Sequence, residues 1–99
     1  MVQLPPGNDT DPAFMSDIKT AFEQAQQDVK TLTERPSNDD LLTLYAHFKQ
    51  GTDGDVSGKR PGMLDMVGRA KYDAWAGLSG TSSDDAKQQY VDKVKEMLG

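Results

Sequence analysis

The sequence predicts an all-α protein, a small bundle of four helices, and three observations favour this fold class. Apolar residues recur at helical spacing in four separate stretches, and no stretch shows the convincing alternation of a β-strand. Prolines, glycines and helix-capping residues separate the four stretches. The chain has 99 residues, which is enough for one domain with a single modest core.

The first predicted helix begins at Ser16, a residue type favoured as an N-cap. It ends at Pro36, because the residue before a proline avoids helical geometry. Residues 1–15 are rich in Pro, Gly, Asn and Asp, which is typical of a flexible N-terminal tail or a remnant of expression. We therefore expect a tail over 1–15 and one helical domain over 16–99. The apolar stripe of the first helix comprises Ile18, Ala21, Phe22, Ala25, Val29 and Leu32.

The other three helices are predicted from capping signals as well as from apolar spacing. The second begins at Ser37, with a weak capping box, and ends with Gly51 at the C′ position. The third begins near Asp65 or Met66, and the fourth follows Thr81 or Ser82. Between the second and third helices lies a connection that is long for so small a bundle, and long ordered loops are usually functional.

The start of this long loop matches part of a calcium-binding motif. Residues 53–58 fit the first six positions of an EF-hand loop, but position 12 is Leu64, which offers no oxygen ligand. A polar turn is the better interpretation of these residues. The chain has no cysteine and a single histidine, so we expect no metal site.

The overall charge excludes several functions. The chain carries 11 basic and 16 acidic residues, which argues against nucleic acid as a partner and against a polybasic membrane-surface protein. The N-terminus lacks the features of a secretory signal, and no apolar run approaches membrane-spanning length. We expect a cytoplasmic monomer that makes at most transient contact with membranes.

Residues 59–72 form a positive island in this acidic chain, with four cations against one acid. Just before the loop, Lys49 shares roughly one helix face with Tyr45 and Phe48. An aromatic surface bordered by lysines suits a ligand with a flat ring and phosphates. The alternative is that the two aromatic residues belong to the core and the lysines are merely solvated, which composition alone favours. The four cations are Lys59, Arg60, Arg69 and Lys71.

No catalytic constellation is found. The serines near residue 82 fit a helix cap, and paired aspartates at helix starts are explained by the helix dipole. We therefore expect a protein that is not an enzyme.

An ordered set of short motifs extends from about Ile18 to Leu98, and their combination is far more specific than any single one. They are Tyr45, Lys49-Gln50, Gly54-Asp55, Arg60-Pro61-Gly62-Met63, Ala70-Lys71, Asp73-Ala74-Trp75, and Tyr90 with Asp92-Lys93-Val94. In this combination the chain resembles the acyl-CoA-binding protein family. The resemblance implies an up-down-down-up four-helix bundle that binds medium- to long-chain fatty acyl-CoA without catalysis. Such a protein acts as an intracellular carrier or buffer in lipid metabolism and needs no cofactor.

The resemblance also implies roles for individual residues. Those expected to hold the adenine and 3′-phosphate of the head group are Lys30, Tyr45, Phe48, Lys49, Lys71 and Tyr90. Those expected to line the acyl groove are Phe22, Ala25, Leu41, Leu42 and Met66.

The chain departs from the family pattern at four positions. Phe48 stands where tyrosine is usual, Val67 where a lysine is frequent, Tyr72 where tryptophan is usual, and Arg69 where lysine is usual. We expect these changes to alter affinity or chain-length preference and to leave the ligand class unchanged. Two other functions remain open. One is a helical protein-interaction module that uses the Tyr45/Phe48 face. The other is a thioester hydrolase, which ranks last because the sequence offers no nucleophile–base pair.

Overall fold

The computed structural model describes the backbone of residues 12–99 and the side chains of residues 17–99. This part of the chain contains four α-helices and no strand, which confirms the predicted all-α class. The helices are α1 (Pro12–Asp28), α2 (Asn38–Asp53), α3 (Met66–Ala76) and α4 (Ser83–Leu98), with a 3₁₀ turn at Val29–Thr31. None of these helices is both long and apolar enough to cross a bilayer.

Three of the predicted helix starts are confirmed by their capping hydrogen bonds. The Ser37 hydroxyl accepts from the Asp40 N–H at 3.1 Å, and the Ser82 hydroxyl caps α4 in the same way. The Asp65 carboxylate accepts from the Gly68 N–H at 2.9 Å and caps α3. Each cap satisfies a backbone donor that the first turn of a helix leaves without a partner.

The predicted start of the first helix at Ser16 is wrong, because the backbone is already helical at Pro12. Proline is tolerated in a first turn, where its missing N–H has no helical acceptor. The part of the predicted tail before Pro12 lies outside the described residues. At the other end, α1 stops well before Pro36: the chain tightens into the 3₁₀ turn and is extended at Leu32.

The predicted end of the second helix at Gly51 is also wrong, because α2 continues to Asp53 and Gly54 follows with φ +82°. Gly51 is buried inside α2, where a glycine is needed for packing and not to end the helix. A Cβ atom there would lie 3.0 Å from Cγ of Lys87 on α4, so its small size permits the close approach of α2 to α4.

Contacts between side chains fix the directions of the helices. Lys71 on α3 lies beside Tyr45 on α2, and Trp75 lies beside Lys49 one turn further along both, so α2 and α3 run parallel. On the other side of α2, Lys93 near the end of α4 forms an ion pair with Asp40 near the start of α2, at 2.8 Å. Ser83 at the start of α4 donates to the Gly51 carbonyl oxygen near the end of α2 at 3.0 Å, so α4 is antiparallel to α2. This is the up-down-down-up bundle that the family resemblance implied.

Two parallel neighbouring helices need a long return connection, and residues 54–65 provide it. The loop runs back along α3 and is bonded to it at three places. The Trp75 indole N–H donates to the Gly54 carbonyl oxygen at 2.7 Å, and the Tyr72 hydroxyl donates to the Gly58 carbonyl oxygen at 3.0 Å. The third attachment is a bidentate ion pair, in which Nε and Nη2 of Arg60 donate to the two carboxylate oxygens of Asp73 at 2.8 and 2.6 Å.

Asp55, the third residue of the partial calcium-binding motif, accepts hydrogen bonds that hold the fold together. Its Oδ1 atom receives hydrogen bonds from the Gly80 N–H at 2.9 Å and from Nε2 of the fully buried Gln50 at 2.8 Å. Gln50 Nε2 also donates to the Thr81 carbonyl oxygen. These bonds join the long loop to the turn before α4. Within residues 12–99 no group of three or more acidic, histidine or cysteine side chains is placed to hold a metal ion.

The core lies where α1, α2 and α4 meet. It comprises Phe22, Ala25, Leu44, Tyr90, Val91 and Val94. The helix α3 packs on the other side of α2, outside this core, and this leaves a space between the N-terminal halves of α2 and α3.

Candidate functional site

A cavity of about 590 Å³ opens between the start of α2 and the start of α3, and we call it the apolar cavity. Helix α3 contributes positions i, i+1, i+4 and i+5, which lie on one helical face. Two cations stand among otherwise mostly apolar side chains. The lining residues are Arg35, Asn38, Leu41, Leu42, Met66, Val67, Ala70 and Lys71.

A second, shallower depression of about 350 Å³ lies next to the apolar cavity, and we call it the aromatic depression. Leu41 lines both, so the two spaces adjoin. Together they form a surface that changes from aliphatic to aromatic across α2. The lining residues of the aromatic depression are Val29, Pro36, Leu41, Leu44, Tyr45, Phe48 and Tyr90.

Lys71 and Tyr45 mark the junction between the two spaces. Lys71 lines the apolar cavity and Tyr45 lines the aromatic depression. The Lys71 ammonium nitrogen lies 5.3 Å from the centroid of the Tyr45 ring, which is within cation–π range. A positive charge is therefore held at the point where an apolar chain would meet an aromatic or anionic group.

Lys49, one turn after Tyr45, already has a partner. It forms an ion pair with Asp53, and its ammonium nitrogen lies 4.9 Å from the ring centroid of Trp75. The hydrogen bond to Asp53 raises the pKa of Lys49 above its ordinary value, so the group is fully charged at neutral pH. An anion that binds Lys49 must compete with the Asp53 carboxylate.

Two of the rings that line the aromatic depression, Phe48 and Tyr90, pack against the core ring of Phe22. Phe48 stacks on Phe22 with centroids 6.0 Å apart, and Phe22 meets the edge of Tyr90 at 5.1 Å. Burial raises the pKa of Tyr90 above its usual range, so its phenol stays neutral and remains a hydrogen-bond donor at physiological pH.

Most of the residues predicted for the head group come together. Tyr45, Phe48 and Tyr90 share the aromatic depression. Lys71 lies at its border, and Lys30 is exposed in the 3₁₀ turn directly after Val29, which lines the depression. Lys49 lies one helical turn away from Tyr45 and beside Trp75. The positions fit a common site, and the individual roles stay predictions.

The residues predicted for the acyl groove separate into two groups. Leu41, Leu42 and Met66 line the apolar cavity together. Phe22 and Ala25, each 4% exposed, instead belong to the core between α1 and α4. Helical spacing marks both groups as apolar but does not reveal which apolar neighbour each one meets.

Sequence reasoning missed four residues of the apolar cavity: Arg35, Asn38, Val67 and Ala70. The Arg35 guanidinium contacts the Asn38 side-chain oxygen at 3.3 Å, just before α2 begins. Arg35 could have been found from the sequence. It stands directly before Pro36 and close to the start of α2, which carries Leu41 and Leu42 of the cavity.

The departures from the family pattern have visible consequences. Phe48 has no hydroxyl and contributes through its stacking on Phe22. The Tyr72 hydroxyl is used to hold the long loop at Gly58. Val67 places an apolar side chain, 67% exposed, at the edge of the apolar cavity.

These features define a class of protein: a small helical bundle whose site suits an amphiphile, with an apolar cavity for a chain and a cationic, aromatic region for an anionic head that bears a ring. Comparison with known proteins agrees with this description. The family model described as "Acyl CoA binding protein" matches residues 19–94.

The chain is similar to the acyl-CoA-binding protein of Brassica napus, with 49% identity over 81 residues, 82% of this chain and 88% of the relative. It is 53% identical to that of Dictyostelium discoideum over 72 residues, 73% of this chain and 86% of the relative.

Two solved structures are similar as well. The crystal structure of Oryza sativa acyl-CoA-binding protein 2 gives a TM-score of 0.81 at 38% identity, covering 85% of this chain and 91% of that one. The crystal structure of the acyl-CoA-binding protein from Moniliophthora perniciosa gives a TM-score of 0.76 at 43% identity, covering 81% of this chain and 79% of that one. The chain belongs to the acyl-CoA-binding protein family, as its motifs predicted.

Proposed function

We propose that this protein binds medium- to long-chain fatty acyl-CoA without catalysis and carries or buffers it in the cytoplasm as a monomer. The observation that supports this most directly is the junction of the apolar cavity with the aromatic depression at Leu41, Tyr45 and Lys71. A fatty acyl-CoA has the same two parts in the same order: an apolar chain, then a polyanionic head with a flat adenine ring. No cofactor, metal or nucleic acid takes part.

The acyl chain occupies the apolar cavity. Its volume of about 590 Å³ lies within the range of ligand sites, roughly 300–1,000 Å³. Removal of the chain from water contributes roughly 0.8 kcal/mol per methylene, or on the order of 8 kcal/mol for ten, before ordering costs are subtracted. Leu41, Leu42 and Met66 line this path.

The head group binds on the other side of the junction. The adenine ring stacks against Tyr45 and Phe48. Lys71 and Lys49 pair with phosphate oxygens, and the Tyr90 hydroxyl donates a hydrogen bond to the head group. Lys30 lies beside the same region and adds a cation at its rim. A free fatty acid supplies no phosphates and leaves these cations without partners, so it binds more weakly.

The alternative of a protein-interaction module using the Tyr45/Phe48 face has less support. Phe48 is packed against Phe22, and Tyr45 lies beside the Lys71 ammonium group. Both rings therefore line a concave site, whereas a docking face would present them outward.

Calorimetric titration with palmitoyl-CoA, CoA and palmitate tests the proposal. We expect saturable one-to-one binding that is tightest for palmitoyl-CoA, measurable for CoA and weakest for palmitate. Palmitoyl-CoA recovered intact after incubation would support a carrier, while release of free CoA would indicate a thioesterase. Absence of a saturable response to palmitoyl-CoA would contradict the proposed function.

A further inference from the structure

The apolar cavity carries a cation at each end of its α2 wall. Nη1 of Arg35 donates to the side-chain oxygen of Asn38 at 3.3 Å, so this guanidinium stands at the start of α2. The Lys71 ammonium group lies instead beside the ring of Tyr45. Asn38 and Tyr45 are seven residues apart, which is about 10 Å along a helix that rises 1.5 Å per residue. The two cations therefore mark different ends of the cavity.

The proposed function uses only the cation at the inner end. Lys71 stands at the junction with the aromatic depression, where the chain of an acyl-CoA meets its head. Leu41 and Leu42 lie between this junction and Arg35. A saturated acyl chain that runs from the junction toward the start of α2 ends in a methyl group, which makes no hydrogen bond with a guanidinium. Arg35 is thus a polar feature of the cavity that a plain acyl chain leaves unused.

The charge of Arg35 is not neutralised by a neighbour. Among the described side chains, no carboxylate lies within ion-pair distance of its guanidinium. It donates to the Pro36 carbonyl oxygen at 3.4 Å and to the Asn38 oxygen at 3.3 Å, and both bonds are longer than a typical N–H···O bond. Arg35 also borders a polar depression at the end of α4, but the Asp40 carboxylate there is already paired with Lys93 at 2.8 Å.

Arg35 and Asn38 together supply hydrogen-bond donors at this end of the cavity. Both bonds of Arg35 leave from Nη1, so Nε and Nη2 have no partner among the described residues. Arg60 uses the same two atoms to bind both carboxylate oxygens of Asp73. The Asn38 oxygen accepts from Arg35, which leaves the two N–H donors of its amide. No acidic side chain among those described lines the cavity, so the donors face a space without an anion.

We propose that the apolar cavity also accepts acyl-CoA whose chain ends in a carboxylate, an ω-carboxyacyl-CoA, and that Arg35 and Asn38 bind the terminal carboxylate. The inference rests on the proposed function, because the chain enters the cavity from the Lys71 junction. An ionised carboxylate is costly inside an apolar cavity unless it is paired, and a guanidinium pairs with it through two parallel hydrogen bonds. Arg35 therefore determines whether the protein carries this second class of ligand.

Titration calorimetry with matched pairs of ligands tests the proposal. Dodecanedioyl-CoA is compared with lauroyl-CoA, and hexadecanedioyl-CoA with palmitoyl-CoA, because the members of each pair differ only in the terminal group. We expect the wild type to bind the better of the two carboxylated ligands at least as tightly as its methyl-ended partner. In Arg35→Gln the ratio of the two affinities for that pair should fall about tenfold, since a charge-assisted bond to the carboxylate is lost.

Two further variants serve as controls. Lys95→Gln removes the same unit of charge from an exposed position of α4 and should keep the wild-type ratio. Arg35→Lys keeps the charge but loses the planar fork of donors, so it should recover only part of the ratio. NMR spectra give an independent readout of position. The carboxylated ligand, and not its methyl-ended partner, should shift the signals of the Asn38 side-chain amide and of the Arg35 Nε–H group.

Each contrary result has its own meaning. A wild type that binds palmitoyl-CoA but binds both carboxylated ligands more weakly than their partners would overturn this inference and leave the proposed function intact. An unchanged ratio in Arg35→Gln would also overturn it, because the arginine would then only cover the chain with its aliphatic stem. Equal losses for both members of a pair and for CoA alone would assign Arg35 to the phosphates instead. No saturable binding of any of the four acyl-CoA ligands would overturn the proposed function itself.

Discussion

The ammonium nitrogen of Lys71 lies 5.3 Å from the centroid of the Tyr45 ring, and these two residues come from parallel helices on either side of the apolar cavity. One turn further along both helices, Lys49 lies 4.9 Å from the centroid of Trp75. The pairing is thus repeated along the α2–α3 interface. It places the Lys71 ammonium group at the border of the apolar cavity and the Lys49 ammonium group one helical turn further along.

Lys71→Ala should weaken binding of palmitoyl-CoA and CoA by about tenfold, because a charge-assisted hydrogen bond to phosphate is lost. Palmitate binding should hardly change, since it has no phosphate. Titration calorimetry of all three ligands measures the effect, and Lys95→Ala, an exposed lysine on α4, controls for the change in net charge. Unchanged affinity for both CoA compounds would place the head group elsewhere.

Asp53→Asn should tighten CoA binding by about twofold, because exposed ion pairs are weak and Lys49 would be released for phosphate. Asp92→Asn makes the same change in net charge on an exposed position of α4 and serves as the control. Calorimetry with CoA at low ionic strength gives the comparison. A tightening of equal size in both variants would show a general charge effect that does not depend on the ion pair between Lys49 and Asp53.

Trp75→Phe should lower the free energy of unfolding by about 1–3 kcal/mol, because it removes a partly buried hydrogen bond to the Gly54 carbonyl oxygen and part of a packed ring. Tyr72→Phe removes only the more exposed bond to Gly58 and should cost less than about 1 kcal/mol. Urea denaturation measures both. Equal losses in the two variants would mean that the Trp75 attachment contributes no more than the Tyr72 attachment does.

Acid should destabilise the fold through Asp55 and two other aspartates. The hydrogen bond from the Gly80 N–H, and then that from Gln50, lowers the pKa of Asp55 below its ordinary value of 3.8. Hydrogen bonds from Lys93 and Arg60 lower the pKa values of Asp40 and Asp73 in the same direction. Since each pKa is lower in the folded state, the stabilisation is present above pH 3.8 and is lost as the pH falls through the folded-state values.

Urea denaturation at a series of pH values below neutrality checks this behaviour. Asp55→Asn should flatten part of the decline, because one of the three titrating groups is removed. A free energy of unfolding that stayed constant from neutral pH to well below 3.8 would contradict the assignment.

Local chemistry made some elements predictable and tertiary contact decided the rest. The start at Ser37 was predicted, and the starts of α3 and α4 were predicted to within one residue of their caps Asp65 and Ser82, because a cap depends on residues three positions apart. The end of α2 was not, because Gly51 serves the contact with α4, and that contact is invisible in a single stretch of sequence.

The candidate site shows the same division. Leu41, Leu42 and Met66 line the apolar cavity together, whereas Phe22 and Ala25 belong to the core, and the role of all five in binding an acyl chain stays a prediction. The i, i+4 spacing of Lys49 and Asp53 was readable from the sequence. The structure adds that this pair forms and that Lys49 also lies beside Trp75, one helical turn beyond Tyr45.

The central claim is that one ligand fills the apolar cavity with its chain and the aromatic depression with its head. Amide NMR spectra recorded during titration with CoA and with palmitoyl-CoA test it most directly. We predict that CoA shifts the signals of Tyr45, Phe48 and Lys71, and that palmitoyl-CoA shifts these and also those of Leu42 and Met66. Shifts confined to α1 and α4, or identical shifts with both ligands, would contradict the account.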